Sequence, residues 1–278
     1  MSRWSRCVVL AAAIVAGAAA SSERITLVVC APGYAGNTEQ AQPVMDDLAR
    51  AVTLTAGWSG AALEAVYHER LEGGLEQLAE QDAALALVPL PLYLEYRERL
   101  SLEPVLEVVQ ASGPSEQWSL VASRGAIKTP EDLAGWQLFG MPGYAPRFIR
   151  RVALAGWGEL PDGLEIRFTS RVLSVLRKAA EGERVAVLLD TAQTNALGSL
   201  PFADELEIVA TSEPLIGSLL CRVGDRLESD EAAPLLEALV RLHEEQGTEE
   251  LLETLRVARF QRLPAAGTGE LERAFAEK

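Results

Sequence analysis

The sequence predicts an α/β fold in which mostly parallel strands are covered by helices. Short apolar runs alternate with longer amphipathic segments along most of the chain, and this alternation is typical of strand–helix–strand units. Several of the apolar runs end in loops that contain proline, glycine or tyrosine. A turn-rich break at residues 111–114 divides the alternation into two series, which indicates a point where the chain passes from one unit into another.

The first series predicts three strands and two helices in alternation. The opening strand, over residues 25–30, stops at a loop that contains Tyr34. Thr38 is the expected cap of a helix over 39–54, whose start Pro43 could delay by a few residues. The elements that follow are a strand over 63–67, a helix over 74–80, a strand over 84–88 that ends in a loop with Tyr93, and apolar runs over 105–110 and 118–123.

The second series repeats the alternation and ends in a long helical stretch. Residues 231–263 have a helical pattern that breaks near Gly247, and Thr248 is the expected cap of the segment after the break. Before that stretch we expect strands over 137–139, 164–168, 185–189, 206–210 and 215–222, and helices over 145–155 and 170–180. Ligands of open α/β sheets bind at the carboxyl ends of strands, so the loops after these strands are the candidate binding loops.

The N-terminal residues have the pattern of a secretory signal. Arg3 and Arg6 precede an uncharged apolar stretch over residues 7–16, and small residues follow at 18–20. We therefore predict a signal peptide over residues 1–20, a mature chain that starts near Ser21, and a periplasmic location. An uncleaved signal anchor is the alternative.

Charge and cysteine content limit the partners of the chain. Lysine and arginine number 25 against 40 aspartates and glutamates, for a formal net charge of −15. Such an acidic chain is repelled by phosphate backbones, so we expect no nucleic-acid partner. Cys30 and Cys221 each lie in an apolar run, which favours two buried, unpaired thiols over the disulfide that export would permit.

A search for catalytic motifs finds no recognisable constellation. His68 and His243 are the only histidines, and Glu72 and Gly247 occupy the positions where a second zinc-ligating histidine would stand. The chain has no Cys-x-x-Cys pair, no glycine-rich phosphate loop with lysine, and no nucleophile elbow. We therefore expect a protein that is not an enzyme and that needs no metal or cofactor. A sensory module is a further alternative, although no apolar span follows the last predicted helices.

Four stretches resemble the phosphonate-binding group of type 2 periplasmic solute-binding proteins. They are ITLVVCAPGYAGNTEQ (25–40), DAALALVPLPLY (82–93), WSLVASRGAIKTPEDLAGWQLFGMPG (118–143) and RVAVLLDTAQ (184–193). Within the third stretch, residues 127–135 resemble the short helical turn, ending in Asp-Leu-x-Gly, that leads into the first inner strand of the second lobe in that superfamily. The resemblance extends over essentially the whole chain after the signal.

The resemblance implies a two-lobed type 2 periplasmic binding fold, with two mixed sheets flanked by helices, a central cleft and a two-strand hinge. The first lobe would comprise residues 21–117 and 213–278, and the second lobe residues 118–212. The chain would cross between the lobes near residues 113–118 and 213–217 and close on its ligand there. Function would be capture of a small molecule and its delivery to a membrane transporter component, by a chain that we expect to be a monomer.

The composition of the cleft loops leads to an expectation about the ligand. Residues 141–146 lack the hydroxyl cluster that phosphonate binders of the group offer at this place, and Pro142 and Pro146 remove two amide donors. We therefore expect an amphipathic or apolar ligand, such as a sterol or another lipid. The alternative is an ABC importer component for phosphonate-like or other small anions. The candidate ligand-binding residues are Tyr34, Tyr93, Glu116, Trp118, Tyr144, Asp190, Gln193 and Asn195.

Several of these residues also have structural roles available to them. Trp118 and Tyr93 could fill the hinge or the core of a lobe, and Glu116 could be solvated. Asp190 follows a strand and could cap a neighbouring helix.

Overall fold

The computed structural model describes residues 25–34, 36–58, 63–227, 229–265 and 267–277. The predicted signal peptide lies outside the described residues. Within them, no helix has the length and apolar character needed to cross a membrane.

A six-stranded mixed sheet forms the centre of the first lobe. Its strand order is β11-β4-β10-β3-β1-β2. β3, β1 and β2 run parallel to one another, whereas β10 is antiparallel to both of its neighbours. The strands are β1 (Ile25–Cys30), β2 (Leu63–His68), β3 (Ala83–Pro89), β4 (Leu102–Gln110), β10 (Ser218–Val223) and β11 (Val257–Arg262).

A five-stranded mixed sheet forms the centre of the second lobe. Its order is β7-β6-β8-β5-β9, with β7, β6 and β8 parallel and β5 antiparallel to both β8 and β9. The strands are β5 (Ser119–Ser123), β6 (Gln137–Gly140), β7 (Glu165–Phe168), β8 (Val185–Leu189) and β9 (Leu206–Thr211).

Helices flank both sheets. Short 3₁₀ turns also occur, at Pro130–Leu133 as the resemblance implied and at Met141–Tyr144. The α-helices are α1 (Thr38–Thr55), α2 (Leu71–Ala79), α3 (Leu90–Leu100), α4 (Pro146–Phe148, which continues as a π-helical turn over Ile149–Ala153), α5 (Val172–Ala180), α6 (Thr191–Leu197), α7 (Ser229–Arg241), α8 (Glu249–Leu255) and α9 (Gly269–Ala276).

Two chain segments connect the sheets and pair with each other. The backbone N–H of Glu116 donates to the carbonyl of Leu215, and that of Leu215 donates to the carbonyl of Glu116, both at 2.8 Å. This pairing is the two-strand hinge of the predicted fold class, which the structure confirms. The residue boundaries given above for the two lobes stay predictions.

The two faces of the first sheet pack differently. One face is covered by α1, α7 and α8, with Leu48, Val52 and Leu235 fully buried beneath them. The opposite face carries Cys30 and Cys221, and its apolar cluster continues into the second lobe through Trp118 and Phe148. The lobes therefore share a continuous apolar contact. Both cysteines are free and buried, as predicted.

Two helix starts differ from the prediction. The loop expected after β3 is instead the beginning of α3, where Pro91 occupies the first turn; proline is tolerated there because the first helical N–H groups have no partner in the helix. The cap of α1 is Asn37, whose Oδ1 accepts the N–H of Gln40 at 2.8 Å. Pro43 lies inside α1 and does not delay its start.

The helix expected over 145–155 is shorter, and its second part is the π-helical turn. The C-terminal stretch is not helical throughout. Arg256, in the left-handed region with φ 55°, ends α8, and the next six residues pair with the free edge of β4 as β11. Thr248 precedes α8, but its hydroxyl donates to the carbonyl of Leu242 at 2.6 Å instead of capping the helix. Helix α9 was not predicted.

Candidate functional site

The lobes meet where a first-lobe loop faces a second-lobe turn. Gly33 follows β1 and has φ 88°. A Cβ atom at Gly33 would lie 3.1 Å from Cε2 of Phe168 and 3.2 Å from Cγ of Met141, both in the second lobe. Only glycine suits this contact, because of its positive φ and the lack of space. The carboxyl end of β1 therefore closes against the carboxyl ends of β6 and β7.

The turn after β6 positions Tyr144. Met141–Tyr144 forms a 3₁₀ turn that runs directly against the backbone of β7. A Cβ atom at Gly143 would lie 2.2 Å from the carbonyl oxygen of Arg167, so no other residue fits there. The turn places the Tyr144 ring against Phe168, with the centroids 6.2 Å apart and the planes tilted by 51°.

Tyr34 and Tyr144 contribute hydroxyl groups that stay protonated. Although Tyr34 exposes 39% of its surface, burial of its hydroxyl raises its pKa, and the carboxylates of Asp190 and Glu116 raise it further. Burial also raises the pKa of Tyr144 well above its usual value, with the nearby Tyr34 adding to the effect. Both hydroxyls are therefore neutral hydrogen-bond donors at physiological pH.

Asp190 lies at the carboxyl end of β8 and caps α6. Its Oδ1 accepts the backbone N–H of Gln193 at 2.7 Å, and Oε1 of Gln193 accepts the backbone N–H of Asp190 at 3.2 Å. Asp190 is only 5% exposed. Burial raises its pKa to about 6, and Glu116 contributes in the same direction.

Glu116 brings a second carboxylate to the same helix end. It belongs to the first hinge segment, and its Oε1 accepts the backbone N–H of Thr191 at 2.6 Å. Glu116 is 9% exposed, so the alternative that it is simply solvated is wrong. Two protein carboxylates thus occupy the N-terminus of α6, and the cleft floor beside them is negative.

Trp118 directly precedes β5 and lies next to Asp190. The register Ser119↔Leu189 between antiparallel β5 and β8, continued by one residue, places Trp118 opposite Asp190. The indole packs edge-on against Phe148 at 5.7 Å and is 4% exposed. Among the described residues its Nε1 has no hydrogen-bond partner. A buried donor without an acceptor costs free energy.

The other three predicted residues are Tyr93 on α3 and Gln193 and Asn195 on α6. Tyr93 is 1% exposed on α3, and its hydroxyl donates to Oε1 of Glu272 on α9 at 2.6 Å. Asn195 lies on the exposed side of α6. Gln193 Nε2 donates to the sulfur of Met141 at 3.6 Å, which links α6 to the 3₁₀ turn.

The structure therefore brings Tyr34, Glu116, Tyr144, Asp190 and Gln193 together, with Trp118 at their edge, and places Tyr93 elsewhere. Met141 and Phe168, which were not predicted as site residues, line the same contact. Phe168 is the last residue of a predicted strand, and its position at a strand end could have marked it as a candidate site residue. Among the described residues, no group of three or more histidines, cysteines or carboxylates is placed to hold a metal ion.

One family model matches most of the chain. The family model described as "ABC transporter, phosphonate, periplasmic substrate-binding protein" matches residues 35–266. No curated protein matches the chain.

Solved structures of similar fold cover nearly the whole chain. A Xanthomonas citri protein bound to ATP has a TM-score of 0.69 at 14% identity, over 91% of this chain and 96% of that one. A binding protein component of an ABC phosphonate transporter from Pseudomonas aeruginosa has a TM-score of 0.61 at 14% identity, over 91% and 85%. Prochlorococcus marinus PhnD1 in complex with methylphosphonate has a TM-score of 0.59 at 12% identity, over 91% and 97%. At 12% to 14% identity, these similarities show a shared fold and nothing about the ligand.

Proposed function

Since this chain belongs to the family of phosphonate-type periplasmic substrate-binding proteins of ABC transporters, we propose that it captures a small phosphonate-like solute between its lobes and delivers it to the membrane component of an importer. The observation that carries the proposal is the family match over residues 35–266. The contact of the two lobes around Tyr34, Tyr144 and Asp190 supports it, because such a closed cleft is where proteins of this architecture hold ligands.

The sterol or lipid ligand expected from the loop composition has no support in the comparisons, which favour the alternative of a small anion. Buried polar groups in the cleft floor also disfavour an apolar ligand. The cleft floor contains the buried carboxyl groups of Asp190 and Glu116. Each carboxyl group accepts a backbone N–H of α6, and an apolar ligand would cover its remaining lone pairs without offering them hydrogen bonds, which is unfavourable.

The two carboxyl groups also restrict the charge of the solute. A bare dianion next to Asp190 and Glu116 would be repelled at short range, and the N-terminus of α6, where an anion would otherwise be favoured, is already occupied. We therefore propose a solute whose acidic group is accompanied by an ammonium or another hydrogen-bond donor, so that the donor faces the carboxyl groups and the acidic group accepts from the tyrosine hydroxyls.

A thermal-shift panel tests this proposal. The purified chain is heated with methylphosphonate, 2-aminoethylphosphonate, inorganic phosphate or a sterol, each at the same concentration. A ligand at free concentration c that binds only the native state stabilises it by RT ln(1 + c/Kd), so at equal concentration the tighter ligand gives the larger rise in melting temperature. We expect the largest rise with 2-aminoethylphosphonate, a smaller one with methylphosphonate and none with the sterol. A rise with the sterol alone would show that the proposed solute class is wrong.

A further inference from the structure

Helix α9 lies between the two lobes and contacts both. Glu272 in its first turns bonds to Tyr93 and Arg97 on α3 of the first lobe, and its last turn contacts the π-helical turn after α4 in the second lobe. The two hinge segments are thus not the sole connections between the lobes in the part of the chain that the structure describes.

The contact with the first lobe is centred on Glu272. Its Oε1 accepts the hydroxyl of Tyr93 at 2.6 Å, and its Oε2 accepts Nη1 of Arg97 at 2.7 Å. Thr268 donates to the same carboxylate from within the α9 cap. The side chains of Arg97 and Glu272 are 25% and 23% exposed, so this ion pair is partly shielded from solvent. We refer to Tyr93, Arg97 and Glu272 as the first anchor.

The contact with the second lobe is centred on Phe275. Its carbonyl oxygen accepts Nη2 of Arg147 at 3.3 Å and Nη1 of Arg151 at 3.1 Å. The Arg147 guanidinium also lies 4.2 Å from the centroid of the Phe275 ring, within the range of a cation–π interaction. Phe275 is 4% exposed. Two cations at the C-terminus of a helix are favourable to its dipole. We refer to Arg147, Arg151 and Phe275 as the second anchor.

We propose that α9 is a brace that holds the lobes in the closed arrangement, so that the cleft opens only when one of the two anchors releases. This inference rests on the proposed function in one respect, namely that the solute enters when the cleft opens. Because α9 links the lobes in series, both anchors are required: loss of either one removes the restraint that α9 supplies. The effects of breaking the two anchors should therefore not add.

The test measures the distance between the lobes in the ligand-free protein. Spin labels are attached to Glu76→Cys on α2 and Ser174→Cys on α5, two exposed positions in different lobes, while the native Cys30 and Cys221 are buried and are left in place. Arg147→Met/Arg151→Met breaks the second anchor and Arg97→Met/Glu272→Gln the first. We expect each pair to raise the ratio of open to closed molecules by about fivefold or more, as loss of a few charge-assisted hydrogen bonds implies, and the two pairs combined to raise it no further.

Arg184→Met is the matched control. Arg184 donates to the carbonyl of Ala134 at 2.9 Å and lies 5.9 Å from the Trp136 ring, so it makes the same kinds of contact entirely within the second lobe. It should leave the distance unchanged. Circular dichroism confirms that each variant is folded. A folded anchor variant with the native distance distribution, or additive effects of the two anchors, would overturn the brace. Since no ligand is used, the result is independent of which solute the protein binds.

Discussion

Tyr144 combines a hydroxyl kept neutral by burial with a ring fixed against Phe168. We predict that Tyr144→Phe keeps the ring contact and weakens solute binding by about tenfold, as expected for loss of one hydrogen bond to a charged group. Calorimetric titration gives the affinity. Trp136→Phe, a buried aromatic change elsewhere in the second lobe, is the control and should leave the affinity unchanged. Equal affinities for Tyr144→Phe and the native protein would exclude Tyr144 from the site.

The raised pKa of Asp190 makes the stability of the folded protein depend on pH. Burial raises its pKa from the usual value near 3.8 to about 6 in the folded protein, so the folded state binds the proton more tightly than the unfolded state. The contribution of Asp190 to stability is therefore greatest below the unfolded pKa and is lost as the pH rises through about 6.

Asp190→Asn keeps a good helix cap and removes this titration. The free energy of unfolding of both proteins is measured in urea at pH 5 and at pH 7. The value for the native protein minus the value for the variant should be about 1 to 2 kcal/mol lower at pH 7 than at pH 5. A native–variant difference that is the same at both pH values would show that Asp190 does not titrate in this range.

The 3₁₀ turn Met141–Tyr144 depends on Gly143, because the Arg167 carbonyl lies where a side chain would begin. We predict that Gly143→Ala lowers the free energy of unfolding by about 2 to 3 kcal/mol through steric overlap. Gly156→Ala is the matched control, since no atom lies within 4 Å of its Cβ position, and it should change stability by about 0.5 kcal/mol or less. Equal effects of the two changes in urea denaturation would contradict the packing of the turn on β7.

Elements with uniform burial could be predicted closely from the sequence. The strands over 25–30 and 185–189 have the predicted bounds, because each is a short run buried on both faces and such a run has a clear apolar signal. Strand β11 gave no such signal. Its residues alternate irregularly across a register shift, and it becomes a strand because the edge of β4 offers it backbone partners, which only the tertiary fold supplies.

The candidate site could be predicted in part for the same reason. Asp190 and Tyr34 follow buried strands, so strand ends located them. Tyr93 also follows a strand, and Pro89 and Pro91 suggested a loop there. Pro89 is instead the N-cap of α3 and Pro91 lies in its first turn, so the helix directs Tyr93 to Glu272. Met141, Phe168 and the anchors of α9 depend on which loops and helices face each other across two lobes, and local sequence patterns do not contain that information.

At the scale of the whole molecule, closure of the lobes connects the site with the hinge and with α9. Glu116 is part of both the hinge and the cleft floor, because its backbone pairs with Leu215 and its carboxylate binds the N-terminus of α6. A change in the hinge therefore alters the cleft directly. This arrangement predicts that each chain binds a single solute molecule between its lobes.

Calorimetric titration of the native chain and of Tyr34→Phe/Tyr144→Phe with 2-aminoethylphosphonate tests this account most directly. We predict one binding site per native chain and, in the double variant, a loss of affinity of about a hundredfold if the two hydroxyl bonds contribute independently. Absence of binding to the native chain, or binding that the double variant retains in full, would contradict the account.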